Sequence, residues 1–144
     1  MRINLRTGEM RENSRPLNQI DGFDWTEDFD GKIVKVDGTN VWINLKMVCN
    51  AGGAQTRSLR EVYHFVEGQL RVLSEQPTPK SLFVNILDGN ESHKHKSKFR
   101  HLLESSGAPT YRSNIFVGDM CEFREWWRET NEYFLRSYAT PQTA

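Results

Sequence analysis

Residues 41–65 have the pattern of a β-strand, a glycine turn and the first part of a helix, and the other predicted elements can be arranged around them. Residues 41–49 are almost continuously apolar, as in a strand that packs against other elements. Asn44 and Lys46 interrupt this run, and they share one face because side chains alternate along a strand. Such residues are seldom buried without a partner, so they lie either on a solvated face of the sheet or in a site.

The composition predicts one globular domain and limits its possible partners. The chain has 144 residues, of which 37% are hydrophobic and 26% charged. Its 19 basic and 19 acidic residues cancel, so any surface that binds nucleic acid must be local. Cys49 and Cys121 are far apart, which predicts reduced thiols and excludes a cysteine zinc cluster. With neither a signal peptide nor an apolar run that spans a bilayer, we expect a cytoplasmic protein without membrane contacts.

The first part of the chain is predicted to be an arm, and the remainder a single domain. Residues 1–20 are polar and aperiodic, so we expect little regular structure there, and residues 21–140 form the domain. Residues 22–31 alternate aromatic and polar side chains, which predicts an extended segment with one apolar and one largely acidic face. The carboxylates of this segment are Asp24, Glu27, Asp28 and Asp30.

The elements predicted after this segment make an α/β fold. Residues 32–36 and 41–49 are strands joined by the turn signal Asp37-Gly38, which predicts an antiparallel hairpin. Strands joined through a helix are usually parallel, so we predict a mixed central sheet with this hairpin at its front and helices flanking it. The further elements are strands at residues 81–87 and 114–117, a helix over residues 92–105, and a final helix that begins at the capping-box pair Asp119 and Glu122 and runs to about Tyr138.

The first helix is predicted to begin near Ser58 and to run to about Leu73, because Ser58 and Glu61 have capping-box spacing. A helix N-terminus after a glycine turn is suited to holding a phosphate, although an ordinary solvated turn fits the sequence equally well. The basic start of the helix over residues 92–105 predicts either contacts with a DNA backbone or a solvated helix face. The candidate phosphate- and DNA-binding residues are Gln55, Thr56, Arg57, Arg60, Lys94, Lys96 and Lys98.

On the predicted hairpin, an acid and a lysine are expected to come together across two strands. Asp30 lies at the base of the first strand and Lys46 in the middle of the second. A carboxylate can hold a hard divalent cation, which polarises a phosphate and lowers the pKa of a bound water. A lysine beside it can position that water and stabilise the developing charge. This pair therefore predicts metal-dependent cleavage of phosphodiester bonds.

The arrangement resembles the core of the PD-(D/E)XK nucleases and, more narrowly, of type II restriction endonucleases, over about residues 20–130. Their motif is an acid, a spacer through a hairpin and then acid-any-lysine, matched here by Asp30 and by Asn44-Leu45-Lys46. The runs FDWTEDFDG, INLKMVCNAGGAQTRSLREVYHF, FVNILDG and FVGDMCEFREWW are also similar to restriction-enzyme sequences. The resemblance implies a restriction endonuclease-like fold and an Mg²⁺-dependent enzyme, with Mn²⁺ as an alternative ion, that cuts double-stranded DNA at specific sites and leaves 5′-phosphates. It also implies a homodimer in a prokaryotic or viral setting.

The match departs from the family motif at Asn44, which stands where the motif has its second acid. Some members of the superfamily place that acid in the following helix, and Glu61 follows Lys46 at about that spacing. The resemblance therefore implies that Asp30, Glu61 and the backbone carbonyl of Leu45 hold the metal. The implied catalytic residues are Asp30, Asn44, Lys46 and Glu61. A role in capping its helix would explain an exposed Glu61 equally well.

Two other functions fit the same sequence. The first is a catalytically impaired protein of nuclease fold that survives as a DNA-binding or interaction module, which Asn44 favours and which intact Asp30, Lys46 and Glu61 oppose. The second is a phosphate- or nucleotide-binding α/β protein that uses the turn at Gly52-Gly53. This turn lacks the lysine followed by serine or threonine of a P-loop, so phosphate or nucleotide binding is the weakest of the three proposed functions.

Overall fold

The computed structural model describes residues 1–12, 24–48, 53–75, 80–105 and 114–138, with the backbone alone for residues 53–56, 91 and 130–138. Its strands are β1 (Arg2–Ile3), β2 (Met10–Arg11), β3 (Gly31–Val34), β4 (Asn40–Met47), β5 (Ser81–Asp88) and β6 (Ile115–Gly118). Its helices are α1 (Gly53–Glu75), α2 (Asn90–Lys94), α3 (Lys96–Ser105) and α4 (Met120–Tyr138).

The central sheet has the order β3-β4-β5-β6. β3 runs antiparallel to β4, whereas β5 runs parallel to β4, and β6 runs parallel to β5. β4 and β5 pair along their whole length, from Asn40 opposite Ser81 to Met47 opposite Asp88. The predicted mixed sheet with an antiparallel hairpin at its front is therefore confirmed.

A tight turn joins β3 to β4. The Lys35 N–H donates to the Thr39 carbonyl at 2.9 Å, and the Gly38 N–H donates to the Lys35 carbonyl at 2.9 Å. The Asp37 carboxylate accepts a hydrogen bond from the Thr39 N–H at 2.9 Å, which lowers the pKa of Asp37. Gly38 has a φ of 87°, a conformation in which a side chain would be strained. The predicted Asp-Gly turn is confirmed.

Both crossover connections lie on one face of the sheet. α1 leads from β4 to β5, and α2 and α3 lead from β5 to β6, as expected when successive crossovers have the same hand. The buried layer beneath them is centred on Phe83, which is fully buried and stacks on Phe29 with ring centroids 5.7 Å apart. Its other buried members are Ile3, Trp42, Val48, Leu59, Val62, Phe65, Val66, Val72, Leu73, Leu87, Phe99, Leu102 and Ile115.

α4 covers the opposite face of the sheet. There Phe116 of β6 contacts Phe123 and Trp126 of α4, with ring centroids 5.7 and 5.4 Å away. The Lys35 ammonium lies 5.0 Å from the ring centre of Trp127, and burial lowers the pKa of this lysine. In the described part of the chain, no helix combines the length and the apolar character that a membrane crossing requires.

The first residues of the chain pack against the domain. β1 and β2 form a small antiparallel sheet, and Ile3 is fully buried in the core. Gly68 of α1 permits this approach, because a Cβ atom there would lie only 3.2 Å from the Leu5 side chain. The regular structure of residues 1–12 is limited to these two strands of two residues each, which are too short to produce a recognisable alternation in the sequence. Residues 13–20 lie outside the described residues.

Two predicted helix boundaries are wrong. α1 begins at Gly53 and not near Ser58, so Ser58 and Glu61 lie inside the helix and do not form a cap at its start. The helix predicted over residues 92–105 is divided at His95 into α2 and α3. The His95 N–H bonds the Ser92 carbonyl at 3.2 Å, and the Lys98 N–H bonds the His95 carbonyl at 3.1 Å. These three-residue spacings tighten the backbone at the junction.

The capping box predicted for α4 is present. The Glu122 N–H donates to the Asp119 carboxylate at 2.8 Å, and the Asp119 N–H donates to the Glu122 carboxylate at 3.3 Å. The first of these bonds lowers the pKa of Asp119. The Lys96 ammonium of α3 contacts both carboxylates. Burial alone would lower the pKa of Lys96, but its hydrogen bonds to Glu122 and Asp119 raise it overall.

Candidate active site

A pocket lies between the polar face of β4 and the first half of α1. Asn44 and Lys46 of β4 line it together with Glu61 of α1, and its volume is about 360 Å³. Three of the four residues that the sequence predicts to be catalytic therefore meet in one place. The remaining residues that line this pocket are Leu5, Trp25, Thr26, Glu27, Val62, His64 and Phe65.

Lys46 has a partner that the sequence did not identify. Its ammonium nitrogen lies 3.4 Å from a carboxylate oxygen of Glu27, and the side chains are 30% and 73% exposed, respectively. The ion pair gives the charge of Lys46 a partner on an otherwise apolar strand, and both residues line the pocket. Because Glu27 is largely exposed, solvent screens the pair and its contribution to stability is small.

Asn44 is a buried polar side chain with an unpaired donor. It is 3% exposed, and its amide nitrogen Nδ2 has no hydrogen-bond partner among the described residues. A buried donor without a partner typically costs about 1–3 kcal/mol. Asn44 is one of the residues that line the pocket, while its Nδ2 atom is itself closed off from solvent.

Asp30 lies at the end of the hairpin, beside the peptide of Leu45. Its carboxylate accepts a hydrogen bond from the Leu45 N–H at 2.7 Å, and its own N–H donates to the Ile43 carbonyl at 2.8 Å. Asp30 therefore extends β3 by one residue toward the motif on β4. It is not among the residues that line the pocket of Lys46 and Glu61, and its carboxylate contacts Leu45 whereas Lys46 contacts Glu27.

Glu61 is exposed on α1, with its carboxylate free of any capping role at the helix N-terminus. The capping interpretation of this residue is wrong, because the helix extends from Gly53 and both Ser58 and Glu61 are interior positions. Glu61 therefore lines the pocket from α1, and Glu27 lines it from the segment before β3. The pocket thus has two carboxylates and one lysine.

The ligands that a metal ion would need are present only in part. Within the described residues, no three histidine, cysteine or acidic side chains come close enough together to hold a metal ion. Mg²⁺ is commonly bound by one or two carboxylates, with waters and substrate phosphates as the other ligands. With Glu61 and Glu27 the pocket has the number of carboxylates that such a site uses, and they do not form a complete cage.

The residues predicted to bind phosphate are distributed over several surfaces. Arg60 of α1 and Lys98 of α3 line the same groove between the two helices. Lys96 is instead directed to the start of α4, where Asp119 and Glu122 hold it. Arg57 and Lys94 are exposed on their helices. The side chains of Gln55 and Thr56 lie outside the described residues.

Thr26, Glu27 and His64 are the polar members of the pocket that sequence reasoning missed. Glu27 belongs to the acidic segment noted above, but the pattern does not say which of its carboxylates faces β4. The N-terminal chain decides this, because the Ile3 N–H bonds the hydroxyl of Thr26 at 2.9 Å and the Thr26 N–H bonds the Ile3 carbonyl at 2.9 Å. His64 lies three positions after Glu61, at the spacing that places two side chains on one helix face.

Comparison with known proteins does not assign the chain to a family. No protein-family model, no curated protein and no solved structure matches it.

Proposed function

We propose that the protein is an Mg²⁺-dependent DNA endonuclease that hydrolyses phosphodiester bonds at the pocket between β4 and α1. The observation that supports this proposal is the convergence of Asn44, Lys46 and Glu61 on one pocket. The resemblance to the PD-(D/E)XK motif implies a catalytic role for all three residues. Asn44 and Lys46 share a face of β4 by the alternation of a strand, so the informative part of the convergence is that Glu61 of α1 lines the same pocket.

The proposed roles follow from the chemistry of each group. The Lys46 ammonium orients the attacking water and offsets the negative charge that develops on the phosphate. Glu27 pairs with this ammonium. Glu61 and Glu27, the two carboxylates that line the pocket, are the proposed metal ligands, and Asn44 supplies an uncharged polar group beside them. Asp30 and Leu45, the other ligands that the resemblance implies, do not line this pocket, and the Asp30 carboxylate is bonded to the Leu45 N–H. The bound ion would polarise the phosphate and activate a water.

The proposal includes the narrower enzyme class that the resemblance implies, a type II restriction endonuclease. A type II restriction endonuclease-like enzyme would act as a homodimer on double-stranded DNA. Each subunit would cut one strand of a symmetric site and leave a 5′-phosphate. The PD-(D/E)XK fold itself belongs to this proposal, and the four-stranded mixed sheet with its front hairpin is compatible with it.

The test is cleavage of plasmid and phage DNA by the purified protein with Mg²⁺, with Mn²⁺ and with EDTA. Lys46→Ala and Glu61→Gln are each expected to lower the cleavage rate at least about 100-fold. Glu75→Gln is the matched control, because it removes the same charge from an exposed position of α1 whose partner, Arg71, does not line the pocket. Equal loss in Glu75→Gln and Glu61→Gln, or cleavage that persists in EDTA, would contradict the proposed site.

A second candidate is a nuclease-fold module that binds DNA without cutting it. The unpaired Nδ2 of the buried Asn44, at the position of the second motif acid, favours this possibility. The substitution Asn44→Asp separates the two functions. If the missing acid alone prevents catalysis, Asn44→Asp gains Mg²⁺-dependent cleavage that the natural chain lacks. If the natural chain already cuts DNA, the non-catalytic module is rejected.

A further inference from the structure

A second concave site lies on the other side of α1, between this helix and α3. Leu59, Arg60 and Tyr63 of α1 line it, together with His95, Lys98 and Phe99, and its volume is about 240 Å³. None of these residues lines the pocket of Lys46 and Glu61. The groove continues past Tyr63 and Lys98 into a shallow depression that also includes Ser97 and His101.

The floor of this groove is apolar and partly aromatic. Leu59 and Phe99 are 6% and 3% exposed, and the ring of Tyr63 lies on Phe99 with centroids 5.9 Å apart and planes inclined by 56°. Tyr63 is only partly buried and lines both the groove and the adjoining depression, so it is accessible to a partner there. Aromatic rings of this kind stack on the faces of nucleobases.

The rim of the groove is basic. Arg60, His95 and Lys98 surround the aromatic floor, and no carboxylate is among the residues that line it. Among the described residues, neither the guanidinium of Arg60 nor the ammonium of Lys98 forms an ion pair or a side-chain hydrogen bond. Two exposed cations on neighbouring helices beside an aromatic surface favour a ligand that has both phosphates and a flat apolar group.

We propose that this groove binds a single strand of nucleic acid, with one unpaired base on Tyr63 and the neighbouring phosphates at Arg60 and Lys98. A duplex keeps its bases stacked inside and would offer only phosphates to this surface, which leaves the aromatic floor unused. The inference does not depend on catalysis at the pocket of Lys46, because the groove is built from different residues.

The test is fluorescence anisotropy of a labelled single-stranded oligothymidylate in EDTA, with an abasic strand of equal length as the second probe. We expect the abasic strand to bind about tenfold more weakly, because it has the same phosphates and no bases. Tyr63→Leu is expected to remove this difference, whereas Tyr63→Phe keeps the ring and retains it. Arg60→Gln with Lys98→Gln is expected to weaken both probes and to reduce the slope of log affinity against log salt by about 1.4.

The control is Arg124→Gln with Arg128→Gln, which removes two exposed arginines from α4 on the opposite face of the sheet. Equal binding of the two probes, loss of binding in Tyr63→Phe, or an equal effect of the α4 control would each overturn the inference. Tighter binding of a duplex that is unchanged by Tyr63→Leu would also overturn it. All measurements are made without Mg²⁺, so a protein that binds the strand but never cuts DNA would contradict the proposed nuclease and not the groove.

Discussion

The side-chain amides of Gln69 in α1 and Asn85 in β5 bond each other reciprocally in the core. The Gln69 amide donates to the Asn85 oxygen at 2.9 Å, and the Asn85 amide donates to the Gln69 oxygen at 2.8 Å. Both residues are fully buried, and Asn85 also donates to the Phe116 carbonyl at 3.2 Å. Two buried amides thus satisfy one another and fix α1 against the middle of the sheet.

Substitutions at the two residues of this amide pair are predicted to be non-additive in their effect on stability. Gln69→Leu leaves the buried amide of Asn85 without its main partner, so we expect a loss of about 1–3 kcal/mol. Asn85→Leu is expected to cost a similar amount. The double substitution leaves neither amide unpaired and should cost less than the sum of the two single changes. Urea unfolding of the four proteins measures this, and strict additivity would contradict the prediction.

The N-terminal strand is predicted to contribute substantially to stability. Ile3 is fully buried, so Ile3→Ala should lower the free energy of unfolding by about 2–5 kcal/mol. The matched control is Val36→Ala, at an apolar residue that is fully exposed in the turn region. That change should cost less than about 0.5 kcal/mol. Equal midpoints of urea unfolding for the two variants would show that residues 1–12 are not part of the core.

The cap of α4 is predicted to be sensitive to acid. The hydrogen bond from the Glu122 N–H holds the pKa of Asp119 below its ordinary value, so the folded state favours the ionised form. The resulting stability is present above about pH 4 and is lost as the pH falls through the lowered pKa of the folded state. Asp119→Ala should cost about 1 kcal/mol at pH 7 and less at pH 3.

Asp119→Asn separates the hydrogen bond from the charge at this cap. Asparagine is about as good a cap as aspartate, so most of the stability at neutral pH should remain while its acid dependence decreases. Thermal unfolding of the three proteins between pH 3 and pH 7 is the measurement. If Asp119→Asn and Asp119→Ala are equally unstable at pH 7, the charge and not the capping bond stabilises α4.

Glu27 is predicted to affect cleavage without affecting stability. The Glu27 side chain is 73% exposed in its ion pair with Lys46. Glu27→Gln should therefore change the free energy of unfolding by less than about 0.5 kcal/mol. If Lys46 acts at the phosphate, loss of the residue that holds it should lower the cleavage rate by roughly 10–100-fold. The control is Asp24→Gln, which removes another acid of the same segment. Asp24 contacts Arg6, so its loss should leave the cleavage rate unchanged.

The strands of the central sheet and their pairing could be predicted because their signals are local. The Asp-Gly turn, the apolar run of β5 and the capping box at Asp119 each identify an element without reference to the rest of the chain. The start of α1 could not be placed, because residues 53–57 contain no apolar stripe. Ser58 and Glu61 also have the spacing of a capping box, which predicted a start too late in the chain. The break at His95 had no glycine or proline to mark it.

The candidate site shows the same division between local and distant information. The shared face of Asn44 and Lys46 follows from the alternation of a strand, and the convergence of Glu61 depends on the spacing through one turn and one helix. The position of Glu27 depends on hydrogen bonds between Ile3 and Thr26, residues that are far apart in sequence. Local periodicity carries no information about such contacts, so Glu27 could not be distinguished from its acidic neighbours.

The unequal pairing of β3 and β4 has a consequence for how firmly the two halves of the predicted motif are held. β4 is paired with β5 along all eight of its residues, whereas β3 has four residues and pairs only with Asn40–Ile43 of β4. Amide protons of a long inner strand exchange with solvent mainly when the whole domain opens, and a short outer strand frays by itself. Lys46 lies beyond the end of β3 and opposite Leu87 of β5, so Asp30 can leave its place during a local opening of β3 that leaves the pairing of the lysine with β5 intact.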